Sequence, residues 1–216
     1  VHEVKNPLAA MKAALQLAKH GEGLEREECL QLLNKEIDEL NTLVENLLSL
    51  ARPAPARFSL QCLEVVLAEV LGLVRYEANL RMVRIDFRPG RTASFLRCDS
   101  HLLKQAFLNL ARNAIQAMPQ GGVLSLAVQR RPAKAGVSVE VSDTGVGIPA
   151  EHLPHLYEPF FTTKEIGGTG LGLSVTRRII EDVHMGQIRV ESVQGVGTRF
   201  QVFLPFNPEP RAASEA

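Results

Sequence analysis

A chain of 216 residues with 45% hydrophobic content is long enough for one large domain or two small ones with an ordinary core. Lys plus Arg total 24 and Asp plus Glu total 24, and only 5% of residues are aromatic, none of them Trp; neither a basic nucleic-acid or membrane surface nor a stacking platform for single strands is expected. Cys29, Cys62 and Cys98 are odd in number and lack close metal-ligand spacing, which points to thiols in a reducing compartment, and the longest apolar stretch, Val65 to Val74, is broken by Glu69, short of the roughly 20 apolar residues a membrane helix needs.

The chain opens on a helical beat. Val1, Val4, Leu8, Met11, Leu15 and Ala18 alternate steps of three and four, and Leu30, Leu33, Ile37, Leu40, Val44, Leu47 and Ala51 do the same. Residues 1–51 therefore read as two helices, each with an a/d seam. KHGEGLERE between them carries Gly21 and Gly23 and fits a turn into an antiparallel partner. Two seams on one hairpin leave too little core for independent stability, so a homodimer closing a four-helix bundle is the expected completion. A plain dimerisation coiled coil stays open on this pattern alone. No signal peptide is visible. Because the beat is already running at Val1, the chain reads as a cytoplasmic piece of a longer protein, itself touching no membrane, with any sensor or membrane anchor upstream.

RPAPAR at 52–57 stops the second helix, because two prolines cannot continue it and the residue before a proline avoids helical backbone. This segment reads as a linker into a second domain over 58–206. There the pattern predicts a helix over 63–75, a strand at 83–87, and a helix over 100–118 capped by Asp99 or Ser100 and stopped at Pro119-Gln-Gly-Gly. Strands follow at 123–130 and 137–142, and a hairpin of 187–193 and 198–204 turns at Gln194-Gly195-Val196-Gly197. The fold class is α+β, with helices on one face of a mixed sheet. NPEPRAASEA, the last stretch, lacks periodicity and reads as a disordered tail.

Two glycine clusters, DTGVG and GGTGLG, bracket 19 residues that include Pro149, Pro154, Pro159 and a Phe160-Phe161 pair. The spacing suggests a nucleotide pocket under a lid. Val137, Val139 and Val141 alternate as a strand that delivers Asp143 at its end, where a carboxylate can accept from a purine's exocyclic amine. From Leu171, LGLSVTRRIIEDV reads as an amphipathic helix whose glycine-rich start offers N–H groups to phosphates. Neither a GxxxxGK[ST] loop nor a dinucleotide GxGxxG with an acidic partner is present. Asn109 and Asn113 lie four apart on one helix face and can offer amide oxygens to a hard cation, unless they are ordinary polar surface residues. His2 and Asn6 fall nearly on one line, with Glu3 close enough to orient the imidazole or take its proton. A solvated helix histidine is the plain alternative, and it is the reading given to His20, His101, His152, His155 and His184.

Together these segments resemble the catalytic core of a sensor histidine kinase of two-component signalling, over nearly the whole chain. HEVKNPL resembles the phosphoacceptor box, NLARNAIQA the asparagine box, DTGVGIP the first glycine box, YEPFFTTK the phenylalanine box and GGTGLGLS the second glycine box. The HEVKNP variant looks closest to the nitrogen-regulation and sporulation branches. The resemblance implies a Bergerat-type α/β sandwich that binds ATP and Mg2+, and a chain that phosphorylates itself and then an aspartate of a response-regulator partner. It implies that His2 accepts the γ-phosphoryl group with Glu3 as general base, while Asn6 helps position water in a phosphatase reaction. Asn113 would bind magnesium with Asn109 nearby, and Asp143 would hold the adenine amine. Gly145 and Gly147 would shape the adenine side, supported by Thr198. Gly168, Gly170, Leu171 and Gly172 would lie at the phosphates, and Lys164 would reach the γ-phosphate. Only Val1 precedes His2, whereas the family's first helix runs several turns upstream; a fraying helix end predicts weak autophosphorylation. Rival readings are a related serine kinase, a nucleotide-sensing dimer scaffold without transfer, and an energy-transducing ATPase of the chaperone and topoisomerase type.

Overall fold

The structure, a computed structural model, describes residues 2–20, 27, 29–33, 37, 40, 44, 55–163 and 169–208. Contacts divide the chain into two units, Val1–Ala54 with Phe160–Leu171, and Pro55–Pro159 with Gly172–Ala216. The break between Ala54 and Pro55 falls inside the proline segment read as a linker.

In the first unit, α1 spans His2–His20, and residues 27, 29–33, 37, 40 and 44 are helical as well. Most of the expected turn at 19–27 lies outside the described residues. Ala14 is buried, yet Leu15, Leu30, Ile37 and Val44 of the two seams are 43–51% exposed. One copy of the hairpin therefore leaves much of its apolar seam in water.

The second unit is a helical layer on a sheet. β1 (Ser59–Cys62) leads into α2 (Leu63–Leu80), followed by β2 (Val83–Arg88), β3 (Phe95–Cys98) and α3 (Ser100–Gln116). β4 (Gly122–Arg131), β5 (Gly136–Asp143), α4 (Gly172–Arg178), β6 (Gln187–Val193) and β7 (Gly197–Pro205) complete it. The five-stranded sheet runs β2-β4-β5-β7-β6, with β2 parallel to β4 and every other pairing antiparallel. In register, Leu126, Val141 and Phe200 form one buried row and Val128, Val139 and Val202 the next. Strict alternation sends these side chains to the helix-covered face.

α2 buries Leu63, Val66, Leu67, Val70, Leu71, Val74 and Ala78, and α3 buries Leu103, Ala106, Phe107, Leu110, Ala111, Ala114 and Ile115. The 3.6-residue stripe on each helix faces the other, and Glu69–Lys104 at 2.5 Å and Glu77–Arg112 at 3.8 Å tie them like two rungs. These exposed pairs contribute only about 0–1 kcal/mol each, so burial holds the layer. Asp99 is the N-cap of α3, its Oδ1 accepting from His101 N at 3.1 Å and Leu102 N at 3.2 Å.

Three features depart from the sequence expectation. β1 and β3 form a separate two-stranded sheet that the periodicity does not predict, because each has four residues and Leu60 and Phe95 point outward. α2 runs five residues past the predicted Arg75. The helix after the second glycine cluster is α-helical only to Arg178 and continues as a π turn over Ile179–Val183, closed by His184 N to Ile179 O at 3.1 Å.

Tyr157 carries a buried hydroxyl with no hydrogen-bond partner among the described residues, beneath the Arg177 guanidinium at 5.3 Å from the ring centre. Burial pushes its phenol up to about 12. Tyr157→Phe keeps the ring and the cation above it while deleting the unpaired group. It is expected to raise stability by about 1 kcal/mol, read as a higher urea midpoint at unchanged slope.

Candidate functional site

The second unit brings the first glycine cluster against the β6–β7 hairpin. Asp143, the last residue of β5, directs Oδ1 to Gly145 N at 2.9 Å and Thr198 N at 3.2 Å. One carboxylate oxygen is thus fixed by backbone, leaving Oδ2 to accept from another donor. Burial raises the Asp143 pKa above the ordinary aspartate value, against the lowering effect of those two N–H groups.

Glycine is required here by the protein's own backbone. At Gly145 a Cβ would lie 2.5 Å from Ala117 O, the residue that ends α3, and at Gly147 (φ +67) it would lie 2.1 Å from Val193 O. Val146 N donates to Ala117 O at 3.0 Å, and Gly195 N donates to Val146 O at 2.7 Å, so the loop is strapped on both sides. Thr198 acts on Asp143 through its N–H, while its hydroxyl meets Ser192 Oγ at 2.9 Å. Ser192 also accepts from Ile148 N at 2.8 Å and donates to Gly197 O at 3.0 Å. Sequence reasoning missed Ser192, an exposed-looking position on an alternating strand with nothing to distinguish it.

On α3, Asn109 and Asn113 are half-buried on one face. Asn109 Nδ2 donates to Gly172 O at 3.2 Å, joining α3 to the first residue of α4. Thr176 Oγ1 donates to the same carbonyl at 2.8 Å. Gln105 and Gln116 are half-buried on the same helix, and Gln105 stands four residues before Asn109. That four-residue spacing was the signal for an amide stripe longer than two asparagines. An amide donor set, with no cluster of three or more His, Cys, Asp or Glu among the described residues, suits a magnesium ion that arrives on phosphates and takes one or two protein oxygens.

The second glycine cluster is partly described. Phe160 N donates to Gly170 O at 3.0 Å, and a Cβ at Gly170 (φ +62) would meet Phe160 C at 2.4 Å. These residues form the neck of the intervening loop, and Phe160 itself takes a left-handed φ of 69. Leu171 N donates to Thr169 Oγ1 at 3.4 Å. Lys164 and Gly168 lie outside the described residues. His2, Glu3 and Asn6 stand in the first turns of α1, with side chains outside what is described.

A family model described as histidine kinase-, DNA gyrase B-, and HSP90-like ATPase matches residues 98–208, and one described as the His Kinase A (phospho-acceptor) domain matches residues 1–55. The chain belongs to the sensor histidine kinases. Among kinase relatives, sensor histidine kinase ZraS of Escherichia coli O157:H7 is 39% identical over 95% of this chain and 44% of its own length. Sporulation kinase C of Bacillus subtilis strain 168 is 35% identical over 96% of this chain and 48% of its own. The chain thus spans about half the length of these kinases. The catalytic domain of histidine kinase ThkA superposes with a TM-score of 0.64 at 33% identity, covering 72% of this chain and 99% of that one. ThkA in complex with the response regulator TrrA gives a TM-score of 0.76 at 28% identity, over 97% of this chain and 60% of that one. The matches to ZraS, sporulation kinase C and the ThkA–TrrA structure cover 95%, 96% and 97% of this chain. No described helix is long and apolar enough to cross a membrane.

Proposed function

We propose that the chain is an ATP-dependent protein histidine autokinase that phosphorylates His2 and passes the phosphoryl group to an aspartate of a response regulator. The observation that carries this reading is the Asp143 carboxylate, half-buried and held through one oxygen while the other remains for an adenine amine. Gly145, Gly147 and Thr198 keep that carboxylate in place. Gly168, Gly170, Leu171, Gly172 and Lys164 serve the phosphates. A magnesium ion held by Asn113, with Asn109 beside it, supplies charge neutralisation when bound. Phosphoryl transfer otherwise needs little covalent help beyond positioning. Glu3 takes the imidazole proton as the His2 nitrogen bonds to phosphorus and ADP departs, and Asn6 orients water when the kinase acts as a regulator phosphatase.

Two further elements support the assignment. The half-open apolar seams at Leu15, Leu30, Ile37 and Val44 call for a second copy, so the working form is a homodimer with a four-helix bundle. The complex of ThkA with TrrA supports a receiver domain as the phosphoryl acceptor. The reaction is cytoplasmic, in a protein whose further segments carry its sensor.

With labelled ATP, acid-labile phosphate is expected on the parent and none on His2→Ala. Acid-stable label on serine, or multiple turnover to free phosphate without label, sinks the autokinase reading. Asn113→Ala is expected to reduce magnesium-dependent transfer on the order of 100-fold, and metal dependence at the parental level would remove the metal role from Asn113.

A further inference from the structure

The second unit contains a polar joint outside the nucleotide pocket. All four polar atoms of Asp99 are engaged. Its Oδ1 and carbonyl cap α3 through His101 N, Leu102 N and Leu103 N, and its Oδ2 accepts Arg57 N at 2.8 Å. Its own N–H donates to His184 Nε2 at 3.1 Å. Because Asp99 N can only donate, Nε2 carries the lone pair and the proton sits on Nδ1, which donates to Ile179 O at 2.7 Å. His184 is 1% exposed, and the Phe58 ring leans on its imidazole at 5.3 Å between centres. The joint therefore connects three things: the residue where the proline linker ends, the start of the asparagine helix α3, and the π turn that closes the helix after the second glycine cluster. A buried histidine satisfied at both nitrogens by two different elements is a stiff connection.

We propose that Asp99 and His184 fix the direction in which the linker leaves the nucleotide-binding unit, and that His184 is a positioning residue for phosphoryl transfer. The basis is mechanical. α3 carries Asn109 and Asn113, and Gly172 opens the segment that ends at His184, so the linker is anchored to both helices that frame the phosphate side. A linker that left at another angle would misplace the donor while the pocket itself stayed whole. The role rests on the autokinase reading, because only transfer between the two halves of the chain depends on how the linker leaves.

Three variants test it. His184→Phe keeps a ring against Phe58 but removes both hydrogen bonds. Arg57→Pro extends the Pro-Ala alternation, removes the N–H to Asp99 together with an exposed side chain, and fixes φ at position 57. His184→Gln can still offer an oxygen to Asp99 N–H. For His184→Phe and Arg57→Pro, magnesium-ATP affinity is expected within about twofold of the parent, since the hydrogen bonds that hold Asp143 at the adenine end, from Gly145 and Thr198, involve no residue of the joint. The rate of label appearing on His2 is expected to fall on the order of 10- to 100-fold, with His184→Gln between these variants and the parent. Hydrogen exchange reads the joint independently: the Asp99 amide exchanges faster in His184→Phe, while the Gly145 and Thr198 amides on Asp143 stay at parental protection. A parental transfer rate in the variants, or loss of affinity matching the loss of rate, overturns the positioning role. A parent that never labels His2 overturns the autokinase reading and this role with it, while unchanged Asp99 exchange in His184→Phe disproves the joint alone.

Discussion

Asp143→Asn is expected to weaken adenine nucleotide binding by about 2–3 kcal/mol, roughly 30- to 150-fold, while making the nucleotide-free protein harder to unfold at neutral pH. Both effects come from one substitution of an oxygen by an amide nitrogen. Oδ1 of the asparagine can keep Gly145 N and Thr198 N, which forces the NH2 into the position of Oδ2. A donor then confronts the donor of the purine amine. Stability moves the other way because burial raises the Asp143 pKa. Between the ordinary aspartate value and that raised value the folded state binds more protons than the unfolded chain, so stability falls as pH rises through the window, and above it the full cost of the buried charge is present. The asparagine carries no such cost. Urea midpoints of the two proteins should therefore differ at neutral pH and converge as the pH is lowered through the window. Retained affinity would refute the adenine role, and a lower midpoint for the asparagine at neutral pH would refute the electrostatic account.

Gly147→Ala should unfold the unit readily, as the methyl enters a contact between the loop and the hairpin. The new Cβ meets Val193 O at 2.1 Å in a left-handed backbone, and the strap formed by Gly195 N to Val146 O and Ile148 N to Ser192 Oγ must open to admit it. Left-handed strain of about 1–2 kcal/mol and overpacking of about 1–3 kcal/mol together predict a loss of about 2–5 kcal/mol. Gly195→Ala is the control, since Gly195 has φ +80 but no atom within 4 Å of its Cβ; only the strain applies there. Calorimetry on the nucleotide-free protein should show the Gly147 variant melting well below the Gly195 variant. Equal melting temperatures would mean that the hairpin moves aside at no cost.

Much of the second unit was legible because its elements repeat strongly. Val137, Val139 and Val141 could only be a strand buried on one face, and the stripe from Leu103 to Ile115 could only be a helix packed on a core. Asp143 was found for the same reason, because an alternating strand fixes where its last side chain stands. Residues that depend on partners distant in sequence escaped. Ser192 supports Thr198 and Ile148 through a fold that pairs β6 with β7. His184 reads in the sequence as a solvated histidine, yet it is buried between Asp99 and Ile179. Its pattern, a polar residue closing the amphipathic stretch IIEDV, is the same in either setting. The π turn was hidden too, since one additional residue in a helix end leaves the apolar spacing almost intact.

Cys98 is fully buried on β3, and burial with the adjacent Asp99 charge pushes its thiol up to about 11. Alkylation requires the thiolate, so at neutral pH this sulfur reacts only when the surrounding layer opens. Cys62 and Cys29 are partly accessible. The chain thus contains its own counter for opening events: the slow third modification, followed by mass, times how often the β1–β3 pair separates from the helices, and a bound nucleotide that stabilises the unit should lengthen that interval by a factor of one plus the ratio of free nucleotide concentration to Kd.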